Sequence, residues 1–246
     1  MGYAILRATK LKTATGIRRS CAHAFRENDT PNADTTRTSD NSHIGASSLA
    51  EALEAFQIRL ETVGKVRSNA VLAVEYLVTA SPDAMRQKTR EQQDAYFSDA
   101  LAWIRAKHGA ENVFYAGIHR DESTPHLYAY VVPIDSRGRL NCRSFLGGAK
   151  ALTQMQTDFA HQVGHPHGLE RGIEKSKAKH VDIRRWYGQQ NAMESRLEAT
   201  SKRLTGMTNV TTKLARALIE HAPQVASELG LLSQRRQPGT TTGREM

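Results

Sequence analysis

Cysteine is nearly absent. Cys21 and Cys142 are the only two in 246 residues, far apart and without a Cys-x-x-Cys spacing. A disulfide framework is thereby excluded, and a reduced, cytoplasmic setting is expected. Long apolar runs are also missing, since none approaches the roughly 18 residues of a membrane span. The opening Met1-Gly2-Tyr3-Ala4-Ile5-Leu6-Arg7 lacks the charged-then-apolar profile and cleavage site of a signal peptide. No internal repeat is present. Acidic residues are in deficit, 25 against 34 Lys and Arg, for a net charge of +9. That balance points to a polyanionic partner, nucleic acid ahead of a membrane surface. Hydrophobic content of 39% and charged content of 24% fit a globular chain long enough for one large or two small domains.

The densest chemistry lies between Ile118 and Val132. His119, Asp121, Glu122 and His126 fall within eight residues, between two runs that read as strands. Upstream, 112–118 is β-branched and aromatic, with Val113, Tyr115, Gly117 and His119 on one face by the period of two. Downstream, His126, Tyr128 and Tyr130 share one face, and Leu127, Ala129 and Val131 the other. Pro125 suits the first residue of a strand. Histidines alone are more often surface residues than ligands. Charged groups are poor sheet formers, however, and a cluster of them at strand ends needs a reason. Two close imidazoles and a carboxylate can hold a divalent ion.

In chain order, 2–9 reads as a first strand. Residues 10–44 read as a polar ordered loop with a short helix near 20–26; 1–28 carries six Lys or Arg against Glu27 alone. Ser47 or Ser48 can cap a helix to about Val63. The nearly continuous apolar run 70–79 suits a central strand. Ser81 and Pro82 begin a helix, with a break allowed, to about His108. After the paired strands, 135–139 is a hairpin turn and Leu140–Phe145 a short last strand. Residues 149–163 are helical. From Arg171 to Arg216 eleven basic residues stand against four acids, too one-sided for a merely solvated face, and 233–246 reads as a disordered tail. The expectation is an α+β class, an antiparallel sheet with flanking helices.

Several spaced motifs together resemble a known family, the MobV-type plasmid mobilization relaxases, or Mob/Pre family. They are His119-x-Asp121-Glu122-x-x-Pro125-His126, His23-x-x-Arg26, Asn32-x-Asp34-x-x-Arg37, Ala73-Val74-Glu75-Tyr76 with Thr79-Ala80-Ser81-Pro82, Gly168-Leu169-Glu170-Arg171-Gly172, and Ser176-Lys177-Ala178-Lys179-His180. The resemblance covers roughly 1–185. It implies a five-stranded antiparallel sheet of the histidine-hydrophobe-histidine endonuclease kind, in a catalytic domain 1–185, followed by a basic helical extension 186–232.

The implied activity is nicking of one strand of plasmid DNA at a transfer origin, as a single strand or hairpin with flanking duplex. A covalent 5′-phosphoryl adduct follows, and then rejoining. By this resemblance His23 is the nucleophile and Glu122 orients or deprotonates it. His119 and His126 hold Mn²⁺ or Mg²⁺. Some relatives have a third histidine where this chain has Tyr128, so the third ligand is left to Tyr128, a carboxylate such as Asp121, or water. Arg26 is expected to hold a phosphate. Asn32, Asp34, Arg37, Lys175, Lys177, Lys179, Arg184 and Arg185 are expected to meet DNA. The host conjugative coupling machinery is an expected partner. Two competing readings stand beside this one. The first is a tyrosine nucleophile (Tyr3, Tyr115, Tyr128 or Tyr130), and the second is a truncated or degenerate DNA-binding accessory protein.

Overall fold

The computed structural model describes residues 2–174, 183–229 and 231. Its centre is a sheet of β1 (Gly2–Leu11), β2 (Ser42–Ile44), β3 (Ala73–Ala80), β4 (Val113–His119), β5 (His126–Val131) and β6 (Leu169–Arg171). The order is β2-β4-β5-β3-β1-β6, antiparallel except where β6 joins β1 in parallel. The sheet therefore has six strands rather than five. Leu140–Phe145 is not one of them. Leu140 makes a single bridge to Ile134, and the chain then enters helix α5 (Cys142–Leu146). The reason is topological: β5 already has β3 on one edge and β4 on the other, so no ladder remains for a strand there. The two strands that no sequence pattern marks, β2 and β6, have three residues each, too few to show a period.

Both faces of the sheet are covered. On one, Val74, Tyr76 and Val78 of β3 and Leu127, Ala129 and Val131 of β5 pack against α4 (Arg90–His108) and α6 (Gly148–Phe159). On the other, Tyr128 and Tyr130 meet α1 (Ala14–Ala24) and α2 (Leu49–Glu61). The alternation along β5 is the expected one. Along β4 it is broken by an irregularity between Val113 and Tyr115. This places Phe114 and Tyr115 together on the α1 side and Val113 on the other. A bulge of this kind inserts one unpaired residue and resets the face of all that follow.

Side-chain caps mark the starts of α1, α2 and α4. Thr13 accepts from Gly16 N, and Ser48 from Glu51 N. Thr89 and Gln92 form a reciprocal capping box on α4. Ser81 does not cap α3 (Pro82–Arg86); its hydroxyl accepts from Tyr3 N at 2.9 Å and so ties β1 to the end of β3. After α6 the chain passes through a π-turn, Ala160–Gly164, and a 3-10 turn, His165–His167. It reverses at Gly168, whose φ of 70° suits glycine.

Contacts divide the chain into two units, 1–176 and 177–246. The second contains α7 (Ile183–His221) and α8 (Pro223–Glu228). The tail 233–246 lies outside the described residues. Among those described, no helix is long and apolar enough to cross a membrane.

Candidate active site

His119 ends β4 and His126 begins β5, and the two are directly paired across the ladder. Their ring centroids lie 5.2 Å apart, and both side chains are buried. Each has one nitrogen committed to the backbone: His119 Nε2 donates to Ala24 O at 2.8 Å, and His126 Nδ1 donates to Thr124 O at 2.9 Å. A carbonyl only accepts, so the proton of each ring sits on that nitrogen. His119 Nδ1 and His126 Nε2 are then lone-pair acceptors, buried and without a hydrogen-bond partner. Glu122 Oε1 stands 3.9 Å from the first and 3.8 Å from the second. Burial lowers the pKa of both imidazoles, His119 to about 3, which keeps them neutral.

Buried polar atoms without partners are rare and need an explanation. Two converging imidazole lone pairs beside a carboxylate fit a divalent cation. His23, Glu122 and His119 also offer ligand atoms within 4.8 Å of one another, so the α1 histidine borders the same point.

The other candidates for the third ligand fare differently. Asp121 is committed elsewhere: Arg26 Nε donates to Oδ2 at 2.8 Å, Arg26 Nη2 to Oδ1, and Asn41 Nδ2 to Oδ2 at 2.7 Å. Tyr128 lines the site, its ring 5.0 Å from that of His119 and 4.9 Å from that of His126. Burial raises its pKa and keeps it a neutral phenol, a weak donor. Glu122, itself held by Arg26 and Asn32, is the carboxylate whose Oε1 stands beside both lone pairs.

A polar layer holds the 120–125 connection. Glu122 accepts from Arg26 Nη2 at 2.8 Å and from Asn32 Nδ2. Asp34 N donates to Asp121 O at 2.7 Å, and the Asp34 carboxylate caps the 3-10 turn Thr35–Asp40 through Thr36 N. Asn41 Oδ1 accepts from Arg120 N at 2.7 Å. The Asn32-x-Asp34 element thus holds the loop through the Asn32 side chain and the Asp34 backbone N, with the Asp34 carboxylate exposed, and Arg37, also exposed, pairs with Asp40 at 3.2 Å. Arg26 is not on the helix with His23. α1 ends at Ala24, and Arg26 takes a left-handed φ of 59° that turns its guanidinium back over the loop. Instead of offering a free fork to phosphate, it spends Nε and Nη2 on Asp121 and Glu122, leaving Nη1 buried and unpartnered.

His23 lies in the last turn of α1, half-buried, its ring 6.0 Å from that of His119 and 6.1 Å from that of Tyr128. Burial first, and Arg26 second, lower its pKa. Thr30 Oγ1 lies 3.1 Å from Asn28 O and 3.4 Å from His23 Nδ1, so it can donate to the carbonyl while accepting from Nδ1–H, the tautomer that leaves the lone pair on Nε2. α1 is docked by Ser20: its hydroxyl donates to the half-buried Glu75 of β3, and its carbonyl accepts from Tyr130 Oη at 3.0 Å.

Of the candidate tyrosines, Tyr128 lines the site and the other three are placed less favourably for attack. Tyr130 and Tyr115 are fully buried, Tyr130 bound to Ser20 and Tyr115 to His43 Nδ1 at 2.8 Å. Tyr3, 40% exposed, lies on β1, two strands from the histidine pair. Spacing does not single out Thr30, Asn41 or Ser20, because polar residues in a loop or on a helix carry no period. Lys175, Lys177 and Lys179 lie outside the described residues. Only the backbone of Arg184 and Arg185, in the first turn of α7, is described.

Fold and site define an α+β protein with a buried histidine pair beneath a helix-borne histidine. Residues 1–188 match the Mob/Pre family, the plasmid recombination enzymes, and the chain belongs to that family. It is 35% identical over 193 residues to a 65 kDa protein of Zymomonas mobilis, covering 77% of this chain and 33% of that one. It is 31% identical over 193 residues to plasmid recombination enzyme type 3 of Staphylococcus aureus, covering 74% and 47%. The chain thus spans a third to a half of the length of these curated relatives. Among solved structures, the Mn-bound MobM relaxase domain in complex with plasmid pMV158 oriT DNA aligns with a TM-score of 0.68 at 26% identity, covering 76% of this chain and 99% of that one.

Proposed function

We propose that this chain carries the strand-nicking and strand-joining domain of a plasmid mobilization relaxase, with His23 as nucleophile. The observation that carries the reading is the pair of orphaned lone pairs on His119 and His126, with Glu122 between them and His23 at their border. The Mn-bound, DNA-bound state of the MobM domain supports it. His119, His126 and Glu122 would hold a divalent ion, Mn²⁺ or Mg²⁺, which would supply Lewis-acid neutralisation of charge on the scissile phosphate.

The chain's own residues do the rest. The lone pair on His23 Nε2 forms an N–P bond; the P–O3′ bond breaks, and its electron pair leaves on the 3′ oxygen, which takes a proton from solvent. The 5′ phosphate stays on the imidazole as a phosphoramidate. Attack by a 3′ hydroxyl, losing its proton to solvent, reverses the step and reseals the strand. Arg26 and Asn32 aim Glu122, and Ser20, Glu75 and Tyr130 fix the helix that carries His23. Plasmid DNA at a transfer origin is the substrate, in the cytoplasm, and the coupling machinery of conjugation is the partner downstream. The basic residues from Lys175 to Arg185 grip flanking DNA.

The test uses supercoiled plasmid carrying a mobilization origin, incubated with the full chain and Mn²⁺, Mg²⁺ or a chelator. Nicked circles and a covalent adduct are expected only with metal. The adduct should vanish in acid, as a histidine phosphoramidate does, and be absent from His23→Ala. An acid-stable adduct lost in Tyr128→Phe would assign the attack to tyrosine instead.

A further inference from the structure

The end of the sheet opposite the histidine pair is strongly basic. Two clefts of about 600 and 450 Å³ adjoin there, sharing Arg67, Ala70, Leu140 and Asn141 as walls. Lys10, Lys65, Arg67, Arg137, Arg139 and Arg143 line them, all six exposed. The single acid of the lining, Asp135, is consumed locally. Oδ1 accepts from Arg137 N at 3.0 Å and Arg139 N at 3.1 Å, and Oδ2 accepts from Asn141 Nδ2 at 2.9 Å. The carboxylate therefore shapes the turn that presents Arg137 and Arg139 and leaves their guanidinium groups to other partners. The cations do not converge on one point, as a small-anion site would require. Lys10 and Arg143 border one cleft, Lys65, Arg137 and Arg139 the other, and Arg67 both.

A row of unneutralised cations along a groove matches a regularly charged polymer. Its place in the fold gives a spacing. β5 starts at His126, and Val132 leads into the hairpin that bears Arg137 and Arg139. Six residues at a rise of ~3.3 Å put the groove ~20 Å from the histidine pair, the length of about six base pairs at ~3.4 Å each.

We infer that this groove binds the phosphate backbone of double-helical DNA flanking the nick, engaging it about six base pairs from the scissile phosphate. The inference rests on the proposed nicking function and adds a second, sequence-independent contact. It predicts that DNA must extend past the site before the groove contributes.

The test is fluorescence-anisotropy titration of the full chain, native and with Arg67→Ala/Arg137→Ala/Arg139→Ala, across a salt series. Two probes of arbitrary sequence are used, a 20-base-pair duplex and a 20-nucleotide single strand. Each phosphate contact contributes a slope of about 0.9 in log K against log salt. The triple variant should therefore lose about 2.7 of slope on the duplex and much less on the single strand. Lysine at the three positions should restore the slope, because phosphates read charge. If the triple variant misfolds by circular dichroism, Arg137→Ala at the exposed hairpin tip still predicts a loss of about 0.9. Equal duplex slopes in native and variant proteins would overturn the inference, as would tighter binding of polyglutamate than of duplex to the native protein. Metal-dependent plasmid nicking by the native protein, scored separately, reports on the underlying function, so the two failures are distinguishable.

Discussion

Arg26 and Asp121 meet in a two-point fork, Nε on Oδ2 and Nη2 on Oδ1, with the Asp121 side chain fully out of solvent and that of Arg26 9% exposed. The same guanidinium reaches Glu122. One side chain thus holds both carboxylates of the 120–125 connection, so the geometry of the candidate metal site depends on a residue that is not one of its ligands.

Removing that side chain strands a buried charge. Arg26→Ala is expected to destabilise the fold by about 3–5 kcal/mol, the usual cost of breaking a buried pair from one side. Arg26→Lys should recover only part, since an ammonium cannot serve both oxygens in a fork. Urea denaturation of both variants and of Arg26→Ala/Asp121→Asn checks this, the double variant being milder than the sum of its parts. Additive losses would show that the fork is not a coupled unit.

Metal affinity should separate ligands from the residues that aim them. His126→Ala removes a donor, and Mn²⁺ binding by calorimetry is expected to drop by more than about 100-fold. Asn32→Ala only frees Glu122 and should cost about 10–100-fold. His126→Ala with undiminished Mn²⁺ affinity would remove the histidine pair from the ligand set.

On the proposed reading Tyr130 positions α1 and His23 attacks. Tyr130→Phe deletes the bond to the Ser20 carbonyl, for an expected loss of about 1 kcal/mol, and should slow adduct formation while leaving the adduct on His23. Peptide mapping of the adduct is the measurement. Complete loss of adduct in a folded Tyr130→Phe protein would contradict a purely positioning role.

Acid sensitivity has an identifiable buried source besides the site. His108, beneath Tyr76 with Nε2 2.8 Å from its hydroxyl, is lowered by burial to about 3. The unfolded chain takes up its proton near pH 6.5 and the folded chain does not. The contribution is therefore fully present above pH 6.5 and is lost as pH falls from there toward 3. Between pH 7 and 4.5 this one group should lower stability by about 2.5 kcal/mol. His108→Gln, which cannot titrate, should shrink the gap in urea midpoints between these two pH values.

Much of the site is legible in the sequence because its chemistry is local. His119, Glu122 and His126 lie within one strand-loop-strand, and the period of two alone assigns the faces of β5. The same period misplaces Val113, because a bulge leaves no trace in hydropathy. Leu140–Phe145 looks like a strand because strand propensity says nothing about whether an edge is free to pair. The short β2 and β6 carry no signal, since three residues acquire strand geometry only from the neighbour they bond.

The roles of Arg26, Asn32 and Asp34 show the same division more sharply. Their residue types and spacing mark them as important, and a basic, polar loop invites the reading that they touch DNA. In the fold the side chains of Arg26 and Asn32 turn inward onto Asp121 and Glu122, and the backbone N of Asp34 bonds Asp121 O, about ninety positions away in sequence, while the Asp34 carboxylate stays exposed on Thr36. The capped helices, the alternating strands, the basic charge and the histidine-carboxylate cluster are written in the sequence, because neighbours within a few residues set each of them. Which lone pairs are left without partners, which carboxylate stands beside them, and that His23 stands at their edge were decided by the tertiary fold. Those features depend on long-range contacts and on the removal of water.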